Sequence, residues 1–312
     1  MSMISLLGAL EIGLIFALVA LGVLISFRIL NFPDLTADGS FPLGGAVAAI
    51  MIVGGHDPWL ATFCGMLAGA LAGFVTAWLH VRLGILQLLA SILVMIGLYS
   101  VNLRIMGAPN VALIGEATVF SQIVGDNFDA QAWLQPLLLV GIVLLVKLVL
   151  DGYFVSQSGL AMRATGANAR MARSQGIPTD RMVLAGMALS NALIALAGAL
   201  YVQTQGGADI SMGIGTIVVG LAAVIIGETI LPARAIYFVT LAAALGALLY
   251  RLFIALALNA DFIGLQAQDL NLITAVLVGF ALVLPKIKRK LMPKKRSANV
   301  EPTSQNKKEA AK

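Results

Sequence analysis

Residues 158–181 read SGLAMRATGANARMARSQGIPTDR, a basic, glycine-punctuated island between two long apolar regions. It holds four of the ten Lys and Arg residues that precede Lys286. Its local chemistry predicts two short helices at an angle. Residues 159–165 can form about two turns, Gly166 breaks them, and Asn168 is placed to cap a second helix over 169–175 by accepting a backbone N–H bond. Gly176 suits the left-handed residue after a helix, and Pro178 stops continuation. Arg170 and Arg173 lie three apart and share a face, while Ala169 and Ala172 keep another face thin. The pattern fits a small docking knob, and equally a solvated loop whose arginines only fix topology.

On either side of the island the composition decides the class. A chain of 312 residues that is 60% hydrophobic and 11% charged, with a mean hydropathy of +0.96, is not an ordinary soluble domain. A helix needs about 20 mostly apolar residues to cross a bilayer, because backbone groups in hydrocarbon must bond within their own segment. Long unbroken apolar runs exclude a β-barrel. The expected fold is an all-α polytopic transmembrane bundle. Spans are predicted at 5–27, 59–79, 85–106 and 133–150 before the island, and at 182–203, 214–226, 235–258 and 270–284 after it. Glu11 interrupts the first span and is expected to face protein or the interface. Gly65, Gly69 and Gly73 form a small-residue stripe suited to close packing. His80 and Arg82 mark the end of the second span, with His80 read as interfacial.

Two segments leave the number of crossings open. In RILNFPDLTADGSFPLGGAVAA, residues 28–49, Asp34, Asp38, Gly39, Ser40 and Pro42 break the helix. The apolar piece that follows, 43–54, is about half a crossing long, so a short broken or re-entrant helix is expected near 41–54. Residues 111–124 are weakly apolar. Either 43–54 is re-entrant and there are eight crossings, or both short segments cross and there are ten. Both versions put both termini on the cytoplasmic side, with the island. A faint internal repeat favours ten: residues 13–27 and 34–58 resemble 186–200 and 208–232, about 171 to 178 positions on.

Of 20 basic and 15 acidic residues, ten and two lie from Lys286 onward. The formal charge of +5 is therefore a property of the tail, 286–312, whose basic run after a last apolar helix marks the cytoplasmic side. Anionic lipid is a possible partner of that run; nucleic acid is not expected. Beyond about Lys294 the tail is expected to be disordered. One cysteine, Cys64, rules out an intramolecular disulfide. The first residues lack the basic flank of a signal peptide and are read as a retained first helix.

No Walker A pattern, no Gly-x-Ser-x-Gly and no His-Glu-x-x-His occurs, and the only histidines are His56 and His80. No catalytic residue, metal site or cofactor is expected, and any ATP hydrolysis would occur on a separate subunit. Candidates for a translocation path are Asp34, Asp38 and Ser40 in the first break, Gln203, Gln205, Asp209 and Ser211 in the second, and Asn102, Ser190, Asn191 and Asn271 on helices. The bland alternative is that buried Ser and Asn simply bond neighbouring helices. Glu228 is read as a further path candidate or equally as a structural carboxylate paired with Arg234.

The order Arg163, Gly166, Asn168, Ala172, Gly176, then Ser190 and Ala197-Gly198, resembles the cytoplasmic loop of permease subunits from the ABC importers of branched-chain amino acids and simple sugars. The resemblance covers 1–285 as a transmembrane permease domain with its coupling loop at 157–181. It implies a separate ATPase subunit holding that loop, with Arg163, Arg170 and Arg173 on the docking surface and Gly166, Asn168 and Gly176 shaping it. It also implies a periplasmic or lipid-anchored binding protein and residence in the bacterial cytoplasmic membrane. Two-fold symmetry with a second copy would present two loops to two ATPases. NFPDLTADGSFPLGGAV, with LLASILVMIGLYSVNLRIMG farther on, resembles a subgroup associated with tryptophan or tyrosine. Where many relatives have Gly-Gly, this chain has Gly227-Glu228. The rival readings are an ion- or proton-coupled secondary transporter, with Glu11, Glu116 and Glu228 as its carboxylates, and a membrane scaffold.

Overall fold

The computed structural model describes residues 3–124, 128–231, 235–258 and 279. Helix α1 (Met3–Val23) passes into a π-helical turn (Leu24–Ile29), and a non-helical break leads to α2 (Ala37–Val53). Then follow α3 (Pro58–Leu83), α4 (Gln87–Met106), strand β1 (Asn110–Ala112), α5 (Val119–Val124) and α6 (Phe128–Val155). Two short helices, α7 (Gln157–Ala167) and α8 (Ala169–Ser174), lead to α9 (Thr179–Gln205), strand β2 (Gly207–Asp209), α10 (Thr216–Ile230) and α11 (Ile236–Leu258). Six helices among the described residues are long and apolar enough to cross a membrane, in α1, α3, α4, α6, α9 and α11; α2 and α10 are apolar but shorter.

Three expectations change. Residues 110–124, which include the segment 111–124, form a three-residue strand, a loop and a six-residue helix. That is too short to cross, which removes the segment the ten-crossing version required. The strand pairs antiparallel with β2, Asn110 opposite Asp209, so the bundle carries a small sheet at one end. The third concerns direction. Gly22 of α1 lies against Ser190 and Ile194 of α9, and Ile29 and Leu30 reach Gly166 of α7 and Gly186 at the start of α9. Thus α1 runs antiparallel to α9, and its C-terminal end meets α7. The N-terminus and the 157–181 segment lie at opposite ends of the bundle, not at the same end. The span expected at 270–284 and the tail at 286–312 fall outside the described residues.

The repeat is visible in the helices. α2 and α10 start 179 positions apart, at 37 and 216, and α3 and α11 start 178 apart, at 58 and 236. α1 and α9 form the antiparallel centre; α9 packs on α2 and α3, as α1 packs on α10 and α11. The two three-helix sets are therefore inverted relative to one another, an arrangement that recurs in transporters.

In lipid, apolar burial gives no drive for helix association, so close van der Waals contact and interhelical hydrogen bonds carry it. The central crossings are close because side chains are missing. A Cβ on Gly198 would lie 1.9 Å from the Phe41 carbonyl oxygen, and one on Gly44 would lie 2.0 Å from that of Ala195. Gly69 and Gly73 meet α9 in the same way, at 2.5 Å from the Asn191 carbonyl oxygen and 2.2 Å from that of Met187. Gly97, by contrast, has nothing within 4 Å of its Cβ position. Gly198→Ala is expected to lower the thermal transition of the purified protein sharply or abolish its monodisperse elution, whereas Gly97→Ala leaves both unchanged or raises the transition slightly, since Ala is favoured over Gly in a helix by about 1 kcal/mol.

Candidate functional site

The 157–181 segment forms the two short helices that its residues predict, with one difference in how they divide. Ser156 caps α7 by accepting the Gly159 N–H at 3.3 Å. The helix continues through Gly166 to Ala167, and the break falls at Asn168, whose backbone is extended at φ −159°. Gly166 is needed instead for contact, because a Cβ there would lie 1.8 Å from the Ile29 carbonyl oxygen. Asn168 Oδ1 accepts the Met171 N–H at 3.1 Å, capping α8, and Gly176 takes the left-handed conformation at φ +81°. Ala172 is buried and Met171 exposed.

The three arginines have different surroundings. Arg173 donates to Thr179 Oγ1 at 2.9 Å and to Asp180 Oδ1 at 3.1 Å, which ties α8 to the first turn of α9. Arg170 is exposed and has no partner among the described residues. With Ala169, Arg173 and Ser174 it lines a surface depression of about 370 Å³. Arg163 lies elsewhere, beside the end of α1.

The break between α1 and α2 sits inside the bundle. Asp34 is buried; its Oδ1 accepts the Thr36 N–H at 2.9 Å and its Oδ2 accepts Asn191 Nδ2 of α9 at 2.7 Å. Asn191 Oδ1 accepts the Ser40 hydroxyl at 2.7 Å, so one amide joins both ends of the break to α9. Thr36 and Thr76 hydroxyls pair at 2.8 Å, tying the break to α3. Asp38 points the other way. Its carboxylate accepts the Ile217 N–H at 2.8 Å and the Gly215 N–H at 3.3 Å, capping the N-terminus of α10 from the first turn of α2. Negative charge is favoured there by the helix dipole. The two short helices of the repeat thus meet start to start across one carboxylate.

Residues 5–284 match the family model described as the branched-chain amino acid transport system / permease component. The chain belongs to that family. It is 36% identical to a tyrosine transport system permease protein of Clostridioides difficile, over 90% of this chain and 94% of that one. An uncharacterized protein of Rickettsia prowazekii is also 36% identical, over 89% and 96%. A probable branched-chain amino acid transport permease protein, LivH, of Methanocaldococcus jannaschii is 26% identical over 62% and 64%. No solved structure matches. The protein is a permease component of an amino-acid transport system, and with its apolar helices it is a multi-pass membrane protein.

The permease's other candidate residues are spread along the bundle. Ser190 donates to the Gly22 carbonyl oxygen at 2.7 Å, holding α9 on α1. Gln203 accepts the Val119 N–H at 2.9 Å and donates to Thr62 Oγ1 at 2.8 Å, linking α9 to α5 and α3. Asn102 donates to the Gly39 carbonyl oxygen at 3.2 Å, and its own Oδ1 is buried with no hydrogen-bond partner among the described residues. Gln205 is exposed at the end of α9, and Asp209 turns its carboxylate onto Ser211, whose N–H it accepts at 2.7 Å. Asn271 and Arg234 lie outside the described residues, and Glu228 pairs with Arg28 at 2.6 Å.

Sequence reading missed that pair, and with it the link from α1 to α10. It also missed Lys147 and Asp151, which pair at 2.5 Å on α6 while Asp151 accepts Thr240 of α11 at 2.6 Å. A Lys and an Asp four apart at the end of an apolar run were the available signal.

Removal of Asn191 leaves Asp34 with one of its two carboxylate partners and Ser40 with none. Asn191→Ala is expected to destabilise the permease by about 2 kcal/mol, the scale for leaving buried hydrogen-bonding groups unsatisfied. Ser190→Ala, which deletes one neutral interhelical bond, is expected to cost about 0.6 kcal/mol. Thermal unfolding of the two variants in the same detergent gives the comparison.

Proposed function

We propose that this permease is the membrane-spanning subunit of an ATP-driven importer in which a separate ATPase docks on α7 and α8, and that its substrate is an aromatic amino acid, with tyrosine first to be tried. The observation that carries the reading is the seat of α7: Gly166 brings the short-helix element into backbone contact with the end of α1, immediately before the interior break. A push on α7 therefore reaches the discontinuous part of the bundle without a flexible linker. The tyrosine assignment is drawn from the 36% identical relative of Clostridioides difficile. In this reading 1–285 is the permease domain, 157–181 its coupling segment and 286–312 a basic cytoplasmic tail. Arg170 contacts the ATPase, while Arg173 shapes the knob through Thr179 and Asp180.

The same reading has the α7–α8 end in the cytoplasm and the N-terminus outside, in a bacterial inner membrane. Eight helices, with α2 and α10 as half-helices completed by their breaks, then cross, and a ninth is expected at 270–284. A second permease copy gives two coupling segments for two ATPases, and a binding protein delivers substrate from outside. ATP-driven closure of the ATPases would move α7 and α8 and alternate the access of the path.

The permease, co-expressed with its candidate ATPase, is expected to bring the ATPase down on purification. Arg170→Glu should reduce recovery about tenfold, since opposing a docked charge costs more than 1.4 kcal/mol. Proteoliposomes with ATPase and binding protein should accumulate labelled tyrosine in preference to leucine only with ATP inside. Absence of ATPase association, or full recovery with Arg170→Glu, would overturn the docking reading; uptake without ATP would overturn the energy source.

A further inference from the structure

Beside α7, outside the coupling depression, the end of α1 and the start of α11 enclose a cleft of about 640 Å³. Phe27, Ile236 and Val239 give it apolar walls, and Arg28, Arg163 and Asn31 line it as well. The charges do not balance. Arg28 is paired with Glu228, but Arg163, half-buried, has no acidic partner among the described residues. One positive charge is left over in a cleft that is polar on the side of Arg28 and Asn31 and apolar on the side of Phe27, Ile236 and Val239. Asn31, which lines the cleft, is the single non-glycine residue with positive φ among those described, at 54°, and turns the chain just after the end of α1.

The position of the cleft selects between soluble and membrane anions. Its walls belong to the ends of two helices long enough to cross a membrane, Leu6–Ile29 and Ile236–Ala257. Tyr237 and Phe238, in the first turn of α11, are 49% and 55% exposed. Exposed aromatic residues at the end of a spanning helix belong at the level of the lipid head groups. A basic pocket between helices at that level, with apolar walls below it, has the chemistry of a phospholipid phosphate with its acyl chains attached.

We propose that this cleft is a binding site for an anionic phospholipid, with its phosphate between Arg163 and Arg28 and its chains along Phe27, Ile236 and Val239. The lipid bridges α7 to α1 and α11 and so holds the coupling segment against the break. The inference needs only the membrane placement of the helices and is independent of the substrate.

The test uses purified, delipidated full-length permease in a non-ionic detergent, with the melting temperature read after adding phosphatidylglycerol, phosphatidylcholine or inorganic phosphate. Phosphatidylglycerol is expected to raise the Tm by about 5 °C, the scale of ligand linkage at saturating concentration for a chain of this size, and the other two by less than a fifth of that. Arg163→Gln should lose most of the increment, Arg163→Lys should keep part of it, and Arg170→Gln, on the other depression, should respond as wild type. Equal stabilisation by phosphatidylcholine, or by phosphate alone, overturns the proposal, as does a full response in Arg163→Gln or a lost one in Arg170→Gln. The three additions to wild type decide the question if a variant does not fold.

Discussion

A chain that leaves the helical ladder inside an apolar bundle must find partners for the backbone and side-chain groups it frees, and here the amide of Asn191 is the centre of that supply. It donates to Asp34 at one end of the break and accepts Ser40 at the other, while Asp34 in turn accepts the Thr36 N–H. Irregular backbone at membrane depth is tolerated only where protein surrounds it. The close glycine crossings of α9 with α2 and α3 provide that enclosure, and they also bring the three polar side chains within reach of one another. Packing and polar satisfaction are therefore one design: widening the α2–α9 contact by a methyl group would move Ser40 and Asp34 off Asn191.

The inverted repeat gives the break its counterpart. Each half begins a short helix at a non-helical segment, and the two starts meet where Asp38 of α2 caps α10. Pro42, one turn on, lacks the N–H that would bond the Asp38 carbonyl, and Gly213 of the other half packs on that oxygen, its Cβ position 2.1 Å away. The meeting of the two short-helix starts is thus made of backbone ends and one carboxylate, set within the larger packing of α9 on α2 and α3 and of α1 on α10 and α11.

Much of this was legible in the sequence. Composition gave the bundle, Gly and Ala matches gave the repeat to within a few positions of the helix starts, and Asn168 and Gly176 gave the ends of α8. Direction was not recovered, although Arg28 carried the signal: as the basic residue at the end of the first span it marks the side on which α1 finishes, and counting spans from an uncertain middle overrode it. Gly166 was misread because a glycine within a polar run looks like a helix breaker until the neighbour it admits is known. Hydrogen bonds between residues 150 or more positions apart, such as Ser40 with Asn191, leave no local pattern at all, so the candidate polar residues were named without their partners.

The ion pair of Arg28 with Glu228 gives Glu228 a structural role. Gly227 keeps the close approach of α10 to α11, its Cβ position 2.0 Å from the Ala242 carbonyl oxygen, while Glu228 on the next position reaches back to the end of α1. Both side chains of the pair are partly exposed, so its contribution to stability is on the order of 1 kcal/mol or less. Its consequence is geometric: it joins the last turns of α1 and α10, one helix from each half, at the end where α7 also touches α1. Three contacts converge there, the Gly166 approach, the Arg28 pair and the Arg163 cleft, all within a few residues of the π-helical turn. A π turn has already lost the regular ladder, so this is the part of α1 least constrained by its own hydrogen bonds, and among the described residues Arg28 with Glu228 is the charge pair that ties it to α10.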